Sequence, residues 1–313
     1  MPPMRERRSF EVRHTAVLPA EVLAALDPRR GQTVVDCTVG LGGHATLLLE
    51  RITPGGQLIG LDFDPANLER ARGKLSAVPG GRFALHQSNF AALPAVLGTV
   101  GVGAVDAILA DLGVASPQID DPARGFSYRQ DGPLDMRMDP DRRETAAALL
   151  ARIGEAELRD ALLEYGDETD APAIARLIVN TRGTSPITTT GQLAALVCQA
   201  RDFTLQRAAG AKLHPAARTF QALRMMVNRE AENLDRLLAV APSLLRPGGR
   251  VVIISFHSGE DRRVKRSFRD FARSGVYEQS SSEPIVASED ERRTNPRARS
   301  AKVRWAQRAA GHD

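Results

Sequence analysis

The chain has 313 residues, 42% of them hydrophobic, two cysteines and a formal net charge of +4. That length and apolar content supply one large or two ordinary domains with a real core, and no run approaches the eighteen uninterrupted apolar residues of a membrane span. Cys37 and Cys198 make neither a disulfide framework nor a metal spacing, and Met1–Arg13 is charged with no apolar core behind it, so a cytoplasmic protein with two buried cysteines is expected.

Leu18, Val22, Leu23 and Leu26 share one helical face, predicting a lead-in helix that packs on the sheet and ends at Asp27-Pro28-Arg29-Arg30-Gly31. Gln32–Cys37 reads as the first strand, with β-branched Val34 and Val35 buried, and a helix starts at His44-Ala45-Thr46. Between them, Gly40-x-Gly42-x-x-Ala45 satisfies a dinucleotide pattern. Glycines at 40, 42 and 43 would let a ligand approach the free N–H groups and partial positive charge of the helix N-terminus. Alone, the pattern leaves an ordinary strand-to-helix turn open.

A second strand, Gln57–Leu61, ends at Asp62, about twenty residues on, where a carboxylate is placed to accept from both ribose hydroxyls of an adenosine. Asp64 before Pro65 reads as the cap of the next helix, leaving Asp62 for the ligand. Pro79-Gly80-Gly81 turns into a third strand, Arg82–His86, and Phe90 just beyond it is either a stacking partner for the base or a core residue. A fourth strand, Ala104–Ala110, ends at Asp111-Leu112-Gly113, followed by Ser116-Pro117-Gln118. In a parallel sheet, Asp36, Asp62, Asp111 and Gln118 would face one crevice.

Residues 119–140 form a loop rich in Asp, Arg, Gly and Pro, long enough to be functional, whose Met136 and Met138 could fill a core or face a substrate. Thr145 to Thr190 then reads as helices with no strand between. Leu158, Ala161, Leu162 and Tyr165 line one face. Pro172 opens a second helix, and Thr190 can cap a third carrying Leu193, Leu196, Val197 and Ala200. This helical insert splits an α/β domain between its fourth and fifth strands. The fifth strand, Arg250–Ser255, is an unbroken apolar run after Pro247-Gly248-Gly249, as a central parallel strand should be. His257 follows at the crevice rim, where it either caps the next helix or faces the ligand. The stretch from Ser280 to Glu291 reads as a surface loop and Val303-Arg304-Trp305 as a closing edge strand. Arg292–Arg308 holds seven basic residues and no acidic one, which points to a polyanion or to a solvated surface strand.

With these residues in place, the chain resembles the bacterial 16S ribosomal RNA cytosine-N(4) methyltransferase family nearly end to end. The resemblance rests on Asp36-x-Thr38-x-Gly40-x-Gly42-Gly43-His44, Asp111-Leu112-Gly113-Val114-x-Ser116-Pro117-Gln118, Arg124-Gly125-Phe126-Ser127 and Gly132–Pro140. It continues through His214-Pro215-Ala216-x-Arg218-Thr219-Phe220-Gln221-Ala222, Ser255-Phe256-His257-Ser258-x-Glu260-Asp261 and Asn295–Ser300. It implies a class I methyltransferase (Rossmann-like) α/β fold with an inserted helical domain: residues 1–118 the first part, 119–214 the insert, and 215–313 the second part with the basic segment. It also implies S-adenosylmethionine as methyl donor, contacted by Gly42, Gly43, His44, Asp62, Phe90, Asp111 and Gln118. The implied target is a cytosine amino group in the decoding region of 16S ribosomal RNA within the small subunit. Gly259 departs from the Leu usual in that pattern and removes an apolar anchor before the following helix.

Cytosine's amino nitrogen is a poor nucleophile because its lone pair is delocalised, so the site has to accept its hydrogens while holding the nitrogen in line with the methyl. Asp111, the carbonyls of Leu112–Ser116 and the Ser116 hydroxyl are the nearest acceptors, and no aromatic clamp is visible at Ser116-Pro117-Gln118. A nicotinamide oxidoreductase is disfavoured by Asp36 within the first strand and by the Pro247-Gly248-Gly249 turn. A non-catalytic ribosome-assembly binder would not need the cofactor crevice.

Overall fold

The computed structural model describes residues 16–311 except 115 and 212, together with the side chains of all of these but 116, 117 and 205. The charged Met1–Arg13 segment lies outside the described residues. The chain opens with α1 (Pro19–Leu26), β1 (Thr33–Asp36), α2 (Gly43–Ile52), β2 (Gln57–Asp62), α3 (Pro65–Leu75), β3 (Phe83–Gln87), α4 (Leu93–Thr99) and β4 (Val105–Asp111). Helices α5 (Ser116–Asp120), α6 (Ala146–Arg152), α7 (Glu155–Gly166), α8 (Ala171–Arg182), α9 (Thr190–Ala200), α10 (Leu205–Ala209), α11 (Ala217–Asn228) and α12 (Glu230–Leu244) follow. The chain closes with β5 (Leu245–Ser255), α13 (Ser258–Arg273), β6 (Tyr277–Ser280), β7 (Ile285–Val286), α14 (Glu289–Thr294) and β8 (Lys302–Arg308).

The sheet runs β3-β2-β1-β4-β5-β8-β6, with β7 also paired to β8. The first five strands in that order are parallel, and β8 is antiparallel to β5 and to its outer neighbours. Alternate residues of each central strand enter opposite layers. Val34, Leu58, Leu109 and Val252 pack with α1, α2 and α3, whereas Val35, Ile59, Ile108 and Val251 pack with α4, α12 and α13. Strand order reverses between β1 and β4, and a crevice opens beyond the carboxyl ends of strands at such a switch point. No helix among the described residues is long and apolar enough to cross a membrane.

The helical excursion has its own core. Leu149, Leu158, Leu162, Ile174, Ile178, Leu193 and Val197 pack with Phe126, Leu134 and Met136 from the long loop, and the cluster continues past His214 into Phe220, Leu223 and Val227 of α11. Both methionines of the loop belong to this core, Met136 fully buried and Met138 also reaching the crevice.

Several local expectations are revised by long-range packing. Thr189 caps α9, one residue earlier than Thr190, because a reciprocal capping box joins it to Gln192. Thr190 is buried, its hydroxyl donating to the Gln130 carbonyl at 2.9 Å. Strand β8 is internal rather than a sheet edge, since β6 and β7 pair along its far side. The acidic run 289–291 is the first turn of α14, capped by Ser288, where negative charge suits the helix dipole. Gly259 does not interrupt α13. A Cβ there would lie 3.3 Å from His257 Nδ1, so the small residue lets the His257 ring fold over the helix start.

Candidate functional site: a donor cavity and an adjoining cleft

Turns leaving β1, β2 and β4 build one wall of an inner cavity. Thr38, Gly40, Asp62, Phe63, Phe90, Asp111 and Gln118 line it, so four of the seven expected cofactor residues converge there. Gly40, at φ +51°, turns its N–H to Asp62 Oδ2 at 2.7 Å. Asp62 Oδ1 accepts from the Asp64 N–H at 2.9 Å and from Asn67 Nδ2 at 3.2 Å. Asp62 therefore organises the loop as well as facing the cavity. Three of a carboxylate's roughly four acceptor positions are used, which leaves one toward a ligand. Burial raises its pKa, opposed by those hydrogen bonds.

Asp64 caps α3 as expected, accepting from the Ala66 N–H at 3.0 Å. Its other oxygen accepts from Gln118 Nε2 at 3.1 Å and from Arg124 at 3.0 Å, tying the start of the long loop to the second strand's turn. Phe90 meets Phe63 edge to face, with ring centroids 6.5 Å apart. Phe63 and Asn67 carried no signal of their own beyond proximity to the motifs, and Thr38, a motif residue, was not assigned to the site. The far wall, with Met138, Met225, Asn228, Asn233, Glu230 and Glu260, comes from the loop and the helices after it. Asparagines on amphipathic helices read as solvated positions until tertiary packing turns them inward.

Three expected residues stand off the cavity wall. A Cβ on Gly42, at φ +81°, would lie 3.1 Å from the Ala71 Cα, and one on Gly43 would lie 3.3 Å from the Ala16 Cβ. Their smallness therefore serves packing of α2 against α3 and against the chain before α1. The third, His44, is buried behind Asp111, with Nε2 3.7 Å from Asp111 Oδ2. Desolvation lowers its pKa to about 4 against a hydrogen bond to the Val17 backbone. Asp36, expected to face the crevice, is fully buried behind it, Oδ1 accepting from the Thr38 N–H at 3.0 Å.

Burial pushes Asp36 up to about 7, and burial together with the Asp36 charge pushes Asp111 up to about 8. The Asp111 side chain is about a quarter exposed, yet its Oδ1, like Asp36 Oδ2 and His44 Nε2, is inaccessible and has no hydrogen-bond partner. Buried polar atoms left unmatched are costly, and of these three residues Asp111 is the one on the cavity wall.

Gly113 and Val114 line the inner cavity and also a second, larger cleft of about 910 Å³. Its walls carry Phe126, Tyr128, Phe220 and Phe256 with Arg129, Arg224 and Arg297. Tyr128 stacks on His214 at 4.4 Å and meets Phe220 edge-on. His257 caps α13, its Nδ1 accepting from the Glu260 N–H at 3.4 Å, and its ring also borders the cleft. Arg297, half-buried, brings the basic segment into this wall; Arg299 is exposed and donates to the Arg292 carbonyl at 3.1 Å.

The model of the MraW methylase family matches residues 11–309. A curated relative from Acidobacterium capsulatum, named ribosomal RNA small subunit methyltransferase H, is 43% identical over 302 residues, covering 95% of this chain and 98% of its own. One of the same name from Thioalkalivibrio sulfidiphilus is 46% identical, covering 95% and 98%. The chain belongs to the MraW methylase family. Among solved structures it is also similar to an rRNA methylase from Streptococcus thermophilus, at 9% identity and a TM-score of 0.39, covering 93% of each chain.

This methylase is an S-adenosylmethionine-dependent methyltransferase, and the residues present fit that donor. Phe90 and Phe63 offer aromatic surface to an adenine. Asp62 retains an acceptor for a hydroxyl, and the part-exposed Asp111 carboxyl on the wall suits a cationic group. The inner cavity has a volume of about 130 Å³.

Proposed function

We propose that this chain transfers a methyl group from S-adenosylmethionine to the exocyclic N-4 nitrogen of a cytosine in 16S ribosomal RNA of the small subunit. The observation that carries the reading is the shared wall: Gly113 and Val114 border both the donor cavity and the open cleft. A small residue and a short apolar one at that junction leave room for a nucleophile to reach the donor. The names of the curated relatives and the resemblance of the sequence motifs support ribosomal RNA as the target.

When bound, S-adenosylmethionine supplies an electrophilic methyl group on a cationic sulfur. The protein's part is to hold the amino nitrogen in line and to accept its hydrogens, because the lone pair is delocalised in the free base. Asp111 and Leu112 line the donor cavity and lead into Gly113 and Val114 at the junction, so the acceptors of this stretch are the nearest candidates for that task. The Ser116 hydroxyl, the other acceptor expected from the sequence, lies outside the described side chains. Aromatic surface absent from Ser116-Pro117-Gln118 is present in the cleft as Tyr128, from the long loop that follows, and Phe256, from beyond β5.

Unmodified small-subunit particles, labelled methyl donor and mapping of the product nucleoside test the reading. Label on a cytosine amino nitrogen is expected. Label on protein, on DNA or on a ring carbon rejects it.

A further inference from the structure

The N-4 amino group lies on the Watson–Crick edge, so a paired cytosine cannot present it, and the nucleotide has to leave its stack. An extruded base needs a replacement for the stacking it loses, supplied beside the donor cavity. Tyr128 already has His214 against one face. Phe256 stands closer to the chemistry. It follows β5 directly, lines the cleft and is only partly buried. Its ring lies 3.3 Å from where a Cβ on Gly113 would be, and Gly113 has φ +123°, a conformation that side chains rarely adopt. The ring therefore adjoins Gly113, which with Val114 borders both spaces among the described residues.

Its position is held from behind. The Phe256 N–H donates to Glu260 Oε2 at 2.8 Å, and Glu260 Oε1 lies 3.1 Å from His257 Nε2. Glu260 is 4% exposed and borders the donor cavity. Although burial acts to raise its pKa, His257, the Phe256 N–H and Arg224 outweigh this and hold Glu260 ionised. Arg224 in turn makes a two-point contact with Glu230, at 2.8 and 2.9 Å, so this charge sits in a fixed network.

We propose that Phe256 is the platform on which the extruded target base stacks, and that Glu260 is the positioning residue that fixes it beside Gly113. This rests on the cytosine methyltransferase reading above. The occupant is an unpaired pyrimidine with an exocyclic amine.

The test compares wild type, Phe256→Leu, Phe256→Tyr and Glu260→Gln by thermal melting, S-adenosylmethionine affinity by calorimetry, and methylation of unmodified small-subunit particles. Phe256→Leu should keep donor affinity within about twofold and lose roughly 5- to 150-fold in kcat/KM for RNA, the range of one lost base–aromatic stack. Phe256→Tyr, which retains a ring, should restore most of it. Glu260→Gln, which keeps an acceptor for the Phe256 N–H but not the charge, should raise KM for RNA more than it lowers kcat. A fluorescent cytosine analogue at the target position should change emission on binding to wild type and Phe256→Tyr, and not to folded Phe256→Leu. Equal methylation by Phe256→Leu and wild type, or loss of donor affinity in a folded Phe256→Leu, overturns the platform while leaving the reaction intact. Wild type that labels no cytosine amino group overturns the reaction and the platform with it.

Discussion

His44 Nε2 lies 3.7 Å from Asp111 Oδ2, but the two do not form an ion pair at neutral pH. Burial holds the imidazole uncharged, with a pKa of about 4, and holds the carboxyl protonated up to about 8. The contact is between neutral groups, and Asp36 behind it keeps its proton up to about 7. Binding of a cationic donor favours the ionised carboxyls, so it should release protons, and affinity should rise between about pH 6 and pH 9. Calorimetry in buffers of different ionisation enthalpy measures this. A dissociation constant flat over that range, with no proton release, would show that neither carboxyl feels the donor's charge.

Asp36 also makes the free protein's stability depend on pH. Its folded pKa, about 7, is above the unfolded value, so the folded state holds the extra proton. That contribution is fully present below about pH 4 and is lost as pH rises through 7. Asp36→Asn keeps an acceptor for the Thr38 N–H and removes the titration. The variant should melt higher than wild type at pH 8, by a stability gain of up to about 4 kcal/mol if the whole rise in pKa acts on folding, with the advantage shrinking toward pH 5. A constant difference across pH would mean that Asp36 titrates normally.

Gly42 and Gly73 contrast a strained, crowded position with an open helical one. Gly42→Ala combines a left-handed residue, which costs about 1–2 kcal/mol, with a Cβ 3.1 Å from the Ala71 Cα. Gly73→Ala on α3 meets nothing within 4 Å. Denaturant unfolding should give a loss above 1 kcal/mol for the first. The second should give a gain of up to about 1 kcal/mol, as for Ala replacing Gly in a helix. If Gly42→Ala kept full stability and only weakened donor binding, this glycine would belong to the cradle and not to the α2–α3 contact.

The basic segment divides between two environments. Arg297 borders the cleft half-buried, and Arg299 is exposed. If Arg299 meets only phosphate, Arg299→Ala should lower the magnitude of the salt slope of RNA binding by roughly one and leave the modified base unchanged. Arg297→Ala should also reduce turnover at saturating RNA, because its charge acts on Asp111. Identical behaviour of the two variants would argue against that division.

The local sequence determined the parts whose cause is local. Val34-Val35, the apolar runs of β4 and β5, and Asp64 before Pro65 specify strands and a cap through burial, alternation and one side-chain hydrogen bond, and they were legible without a structure. So was the convergence of Asp62, Asp111 and Gln118, since parallel strands deliver their carboxyl ends to one edge. Which glycine faces a ligand and which faces Ala71 depends on where α3 packs, and nothing near Gly42 encodes that. Phe256 next to Gly113, and Glu260 beneath it, are likewise products of β4 and β5 lying side by side, although more than a hundred residues of helical excursion separate them in the chain. The same excursion brings Tyr128 and Met138 back to the crevice, because the loop that carries them is anchored by Phe126, Leu134 and Met136 in the lobe's core.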